Sequence, residues 1–396
     1  MTVNITKPAI NLRSELADLR KPTGVAGEAM LRADTPQEQF NLIGAGRRRL
    51  NINGAFNVWQ RGTSFSSAST VTYHADRYQS YNSNNATGVA TISKSTDAPS
   101  GFGSSYKLEV TTADTSLAIA AEYGLYHYFE GQDLQGIKKG TPDAIPLTIS
   151  FWVKSSLTGK FVVELMDNDN SNRHCNKPYY VNAANTWEYK TITFPPDTTG
   201  VFDNDNGNSF HFNFWLGGGT NFSGSSLQEN WGVLNQSARA DGQVNVYGTN
   251  GATWQVTGVQ LEVGSTASPF AHENYGDTLQ KCQRYYQKTY DYGTAVGAST
   301  ELGWAWYGTD YDVGITSVFQ SQGIRFETTM RNPPTMVSYD SQGNSGKCTR
   351  YRVGVGPSNN NHASIDLITT KSFRHFGQGT AGTGNIAFHY TADAEL

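Results

Sequence analysis

The chain has 396 residues, enough for two to three ordinary domains, with 30 Lys plus Arg against 34 Asp plus Glu and a formal net charge of −4. Charged residues make up 16% where roughly 25% is usual, and the net negative balance excludes a polyanion binder held by bulk charge. Gly (41 residues), Ser, Thr and Asn fill the polar positions and aromatics reach 12%, a composition suited to all-β proteins that meet carbohydrate or one another.

Charge is uneven along the chain. Residues 1–50 hold eight Lys or Arg against five Asp or Glu, and the remainder 22 against 29. Arg47–Arg49 is the longest basic run, too short for a nucleic-acid arm. The first thirty residues lack the apolar run of a signal peptide, and nothing approaches the roughly 18 apolar residues of a membrane span. Neither nucleic-acid binding nor membrane insertion is expected. Cys175, Cys282 and Cys348 are odd in number and far apart, so free thiols in a reducing cytoplasm are expected rather than disulfides or zinc.

Leu12, Leu16 and Leu19 fall on one helical face that ends before Pro22. Thr35-Pro36-Gln37-Glu38 reads as a capped helix start, with Phe40, Leu42 and Ile43 to bury and Gly44 as a stop. Residues 1–50 thus read as an attachment and oligomerisation segment, since so narrow a face cannot fold alone. From residue 51 to 273 the pattern is β: Leu147–Lys154, Phe161–Leu165, Tyr189–Phe194, Phe210–Leu216 and Trp254–Glu262 alternate or nearly so, between polar turns. A helix from Asp277 to about Lys288 reads as a connector within 274–290. Residues 291–396 are β again, at Glu301–Tyr307, Ile324–Thr328, Thr335–Tyr339, Cys348–Val353, Ser364–Thr369 and Asn385–Tyr390. The predicted fold is all-β: two tandem antiparallel sandwich or jelly-roll domains joined by a short helix, behind an extended, partly helical N-terminal segment.

Motifs for chemistry are sparse. Asp167–Asn172 and Asp203–Asn208 begin like calcium loops, but position twelve is Pro178 or Phe214 and both lie between strands; Asn and Asp serving turn geometry is the better reading. Eight scattered histidines form no metal or catalytic motif, and no nucleophile motif is present, so no enzyme is expected. The aromatics carry more. Sugars present apolar C–H faces and hydroxyls, so their sites pair an aromatic platform with hydrogen-bonding side chains. The candidates are Trp215 with Asn213 and His211, Trp231 with Gln228, Tyr179 and Tyr180, and Trp304, Trp306 and Tyr311. Core or interface packing is the alternative for each. Trp152, Trp187 and Trp254 sit in regular strand patterns and read as structural.

Several stretches together resemble the fibre and appendage proteins of tailed bacteriophages, especially those infecting marine bacteria and cyanobacteria. They are Leu50–Gly62 (LNINGAFNVWQRG) with Ala75–Tyr78, Leu147–Lys154, Trp254–Gly264 with Ser268–Phe270, Cys282–Tyr286, Phe326–Thr335 and Tyr390–Leu396. The resemblance covers residues 50–396. It implies a jelly-roll module similar to carbohydrate-binding domains, a small distal β-sandwich, and a homo-oligomer, usually a trimer. It also implies a place on the virion tail after assembly in the host cytoplasm, with residues 1–50 docked on another tail protein and a host glycan as receptor. Related jelly rolls often carry a structural calcium; its counterpart would lie at Asn53–Phe56 against Gln260–Glu262, with Glu262 the clear hard ligand, and no other cofactor is implied. The expected function is host-surface recognition. The alternatives are a purely structural connector or capsid decoration, and less so a polysaccharide depolymerase, whose long repeated β-helix is missing.

Overall fold

The computed structural model describes residues 49–67, 71–309, 316–352, 354–380 and 384–396, together with Met30, Arg32 and Gln39. Contacts separate residues 1–48 from residues 49–396, and the latter form one compact unit. In the first unit the three described residues are helical. Leu12, Leu16, Leu19, Phe40 and Leu42 lie outside the described residues, as does Tyr311 in the second unit.

Among the described residues, twelve strands lie between Ser64 and Val263. They are β1 (Ser64–Ser66), β2 (Val71–Tyr73), β3 (Gln79–Ser83), β4 (Val89–Ser95), β5 (Ser105–Thr112), β6 (Glu122–Glu130), β7 (Leu147–Ser155), β8 (Gly159–Asp167), β9 (Arg173–Val181), β10 (Glu188–Phe194), β11 (Asn208–Gly218) and β12 (Thr253–Val263). They form two six-stranded antiparallel sheets, ordered β1-β4-β5-β12-β7-β10 and β2-β3-β6-β11-β8-β9. Alternation puts Leu147, Ile149, Phe151 and Val153 of β7 and Phe210, Phe212 and Phe214 of β11 into one shared core. Phe151 and Phe214 meet edge to face across it, 4.9 Å between ring centroids. The all-β antiparallel sandwich expected from the strand patterns is therefore present.

Helix α1 spans Tyr275–Gln283, with Asn274 at the N-cap position and Asp277 inside the first turn. It starts earlier and stops sooner than its sequence pattern predicts. Tyr286–Lys288 instead pair with Thr391–Asp393, so sheet hydrogen bonding ends the helix. The remaining strands are β13 (Tyr286–Lys288), β14 (Ala305–Thr309), β15 (Thr316–Gln320), β16 (Ile324–Arg325), β17 (Thr335–Tyr339), β18 (Lys347–Arg352), β19 (Gly356–Asp366), β20 (Ser372–Thr380) and β21 (Gly384–Asp393). They build one antiparallel sheet ordered β13-β21-β18-β19-β20-β15, with β14 and β17 also on β21 and β16 on β20. Phe326, Phe373, Ile386, Phe388 and Tyr390 form its core.

The last residues of the chain clasp this sheet to the sandwich. The Arg77 guanidinium pairs with Glu395, donates to the Tyr128 carbonyl at 2.6 Å and lies 3.5 Å from the Tyr285 ring centroid. Arg61 adds Asp393 at 2.9 Å and Glu395 at 3.4 Å, and covers the Tyr286 ring. Arg331 donates to the carbonyls of Ala394 and Glu395, each at 2.8 Å. Asp76 accepts from the Gln60 amide and backbone, while Gln60 also donates to the Tyr286 carbonyl. Most stretches that resemble fibre proteins thus meet here as structure. Both Arg77 and Glu395 are buried, so removing Arg77 leaves Glu395 away from water on the longer Arg61 contact alone. Arg77→Met should cost about 3–5 kcal/mol of unfolding free energy in urea, and Arg77→Met with Glu395→Leu should recover much of it. A single-variant loss near zero would show that the clasp carries no stability.

Candidate functional site

The sequence candidates are not brought together. Trp215 and Asn213 point away from the sandwich core, as alternation requires, yet both are fully buried. Residues 219–245 fold over the outer face of the second sheet and cover them. Phe222, Ala240 and Leu227 pack on Trp215 and Val162. Arg239 reaches through to Glu164, donating from Nε at 2.9 Å and Nη2 at 2.8 Å, and stacks over Trp215. Trp215 Nε1 donates to the same carboxylate at 3.0 Å. His174 accepts from the Asn235 N–H at Nε2, which leaves its Nδ1 to donate to Glu164 at 3.0 Å.

The other candidates serve this cover or the core. The Gln228 amide donates to the His174 and Val233 carbonyls, and Trp231 Nε1 donates to the Pro195 carbonyl at 2.8 Å. Tyr179 is buried, stacked on Phe161 and accepting from Trp254 Nε1 at 3.3 Å. Trp215, Asn213 and Tyr179 therefore have no face to offer a ligand. Gln228 and Trp231 are half-buried and hold loops in place. Tyr180 is 53% exposed on β9, at the edge of the second sheet. Trp306 is 67% exposed on β14, and half-buried Trp304 packs edge to face on Tyr351.

A different set of aromatics lines an open groove of about 750 Å³ on the outer face of the first sheet. Its floor is Trp152 of β7, Tyr189 and Thr191 of β10, and Gly258 of β12; its walls are the loops at 100–102 and 266–272. Trp152 and Tyr189 are cross-strand partners with ring centroids 5.3 Å apart. Phe102, Phe270 and His272 form a second cluster, with centroids 4.8–5.1 Å apart. None of the thirteen lining residues is Asp, Glu, Lys or Arg. Reading Trp152 as structural missed this. The available signal was parity: with Phe151 and Val153 turned inward, Trp152 must turn outward.

The groove exists because β12 bulges. Its register against β7 breaks between Thr257 and Gln260, and Gly258 there has φ +63°. A Cβ on Gly258 would sit 2.7 Å from Phe102 Cζ and 3.3 Å from Trp152 Cδ1. The bulge is held from behind: Val259 N–H donates to the Gly54 carbonyl and Asn51 Nδ2 to the Val259 carbonyl, each at 2.9 Å. The wall at 268–272 is pinned too. Glu262 accepts from the Ser268 N–H at 2.8 Å and hydroxyl at 2.7 Å, Gln260 accepts from the Ala271 N–H, and Arg49 donates to the Ala271 carbonyl at 2.9 Å.

These bonds also answer the calcium expectation. Glu262 is taken by donors from Ser268 and Gln260. The Asn53 amide is taken by the Val58 and Asp76 carbonyls and the Val58 N–H. The residues do not fit a cation, and among the described residues no group of three or more His, Cys, Asp or Glu is placed to hold one. At the Asp/Asn turn, Asp167 accepts from the N–H groups of Asp169 and Asn170 and pairs with buried Lys139. All three cysteines are free and buried. Among the described residues no helix is long and apolar enough to cross a membrane.

No protein-family model and no curated protein matches the chain. Solved structures match weakly. The enzymatically active domain of tailspike protein 4 of bacteriophage CBA120 matches with a TM-score of 0.28 and 11% identity, over 54% of this chain and 21% of that one. The family 11 carbohydrate-binding module of a cellulosomal cellulase of Clostridium thermocellum matches at 0.25 and 12%, over 53% and 99%. The N-terminal cellulose-binding domain of β-1,4-glucanase C of Cellulomonas fimi matches at 0.26 and 12%, over 54% and 95%. At such similarity, function rests on the site alone.

The covered face has a pH signature. Burial alone would raise the Glu164 carboxyl, but Arg239 and the His174 hydrogen bond overturn it and hold it at about 2, against an ordinary 4.5. A depressed carboxyl stabilises the fold above its unfolded value and loses that contribution as pH falls toward the folded one. Acid titration of stability should therefore show a loss on the order of 3 kcal/mol between pH 4.5 and 2 that disappears in Glu164→Gln paired with Arg239→Met. An unchanged slope in that double variant would contradict the assignment.

Proposed function

We propose that this chain is a glycan-binding protein of a bacteriophage tail, recognising neutral sugars on the host surface. One observation carries the binding: an open groove in which aromatic faces stand beside hydroxyl groups and none of the lining residues is Asp, Glu, Lys or Arg. Trp152 and Tyr189 offer the platform for the C–H face of a pyranose, and Thr191 and Thr266 line it with hydroxyl groups. A lining without carboxylates supports binding rather than catalysis, because glycoside hydrolysis calls for paired carboxylates at the bond. The tail assignment is supported by the sequence resemblance over residues 50–396. Under it, residues 1–50 attach the chain to other tail proteins, and a trimer multiplies weak individual sites.

The test is an array of neutral glycans probed with the full chain and three variants. Trp152→Ala should weaken binding tenfold or more, about 1.4 kcal/mol. Gly258→Ala should do the same by pushing a methyl group toward Phe102, and Trp306→Ala should leave binding unchanged. Binding indifferent to the first two and lost with the third would move the site to the β14 sheet. No binding by any form would favour a structural connector.

A further inference from the structure

The side-chain rows on the outer face of the first sheet continue past the groove. Register sets Thr257, Trp152 and Tyr189 in one row across β12, β7 and β10. The next row on the same face, two residues along and so about 7 Å away, pairs Gln255 with Lys154. Trp187, the residue just before β10, joins it through Asp97.

Asp97 gathers this second row. Its carboxylate accepts from Lys154 Nζ at 2.7 Å, Trp187 Nε1 at 3.0 Å and Gln255 Nε2 at 3.3 Å. The Lys154 hydrogen bond, with those of Trp187 and Gln255, holds the carboxyl below its ordinary value and so ionised. An ionised carboxylate offers about four acceptor positions. Three are used, and the side chain remains 45% exposed. Trp187 is half-buried, and with its N–H tied to Asp97 the ring is fixed rather than free to rotate. The row is therefore a preorganised platform with an acceptor and a cation beside it, one sugar step from the first platform.

Resting on the groove reading, we infer that the site takes a linear neutral glycan of at least two pyranose units, laid along β7 and β10. One unit stacks on Trp152 and Tyr189. The next lies on Trp187, its hydroxyls donating to Asp97 and accepting from Lys154. A lone monosaccharide engages only one row. Asp97 and Trp187 are specificity residues for chain length and for the hydroxyls of the second unit.

The experiment is calorimetric titration of the full chain with size-graded neutral glucose oligomers, from one to six units, in β-1,3, β-1,4 and α-1,4 linkage. Wild type, Trp152→Ala, Trp187→Ala and Asp97→Asn are compared, with melting curves as the folding control. Affinity should rise tenfold or more between one unit and three in at least one series. Trp187→Ala and Asp97→Asn should each remove that rise while leaving the monosaccharide affinity as it was. Trp187→Ala keeps the test open if Asp97→Asn melts early, because its ring is not part of the core cluster. Binding that needs Trp152 but is flat with chain length, or is indifferent to both second-row variants, overturns the inference and leaves the groove reading standing. Binding that survives Trp152→Ala, or absence of binding in all three series, overturns both.

Discussion

A carboxylate taken out of water must meet a cation or a full set of hydrogen-bond donors, and the cation-paired ones decide which surfaces of the protein are closed. Glu395 meets Arg77 and Arg61, Glu164 meets Arg239, and Glu130 meets Arg284. The first and third tie the β13–β21 sheet and α1 to the sandwich. The second seals the outer face of the second sheet beneath residues 219–245. With that face filled, the outer face of the first sheet keeps the open groove.

That face owes its shape to backbone rather than to side-chain chemistry. Gly258 in the left-handed region, backed by Asn51 and Gly54, turns an otherwise regular strand into a step. Phe102 and Trp152 close over the step because no Cβ stands between them. Glu262, Gln260 and Arg49 then lock the Ser268–His272 wall in place. The same short stretches that resemble phage fibre proteins therefore divide into two jobs. Asn51–Gly54, Trp254–Gly264 and Ser268–Phe270 make the groove; Gln60, Arg61, Asp76, Arg77, Arg284–Tyr286, Arg331 and Asp393–Glu395 make the clasp.

Much of the fold was legible in the sequence, and less of the site. Strands such as Leu147–Ser155 announce themselves because one face is apolar and the other polar, a pattern fixed by burial on one side. β20 was invisible because Ser372-Phe-Arg-His-Phe-Gly-Gln-Gly-Thr380 mixes charge and glycine into a strand held by its neighbours. Alternation rightly turned Trp215 and Asn213 away from the sandwich core, but it carries no information on what a distant loop will lay over them. Arg239 is 75 residues from Glu164, and only the fold shows that they pair. The same alternation puts Trp152 outside, and there the loops at 100–102 and 266–272 wall it in while leaving the groove open.

The central claim is that ligand contact is made on the first sheet. Hydrogen–deuterium exchange of the full chain, with and without purified host envelope polysaccharide, tests it most directly. The account predicts slowed exchange at 100–104, 150–154, 187–191 and 256–272, with the β14–β18 region unchanged. Protection confined to 304–309 and 347–352, or none at saturating polysaccharide, would contradict it.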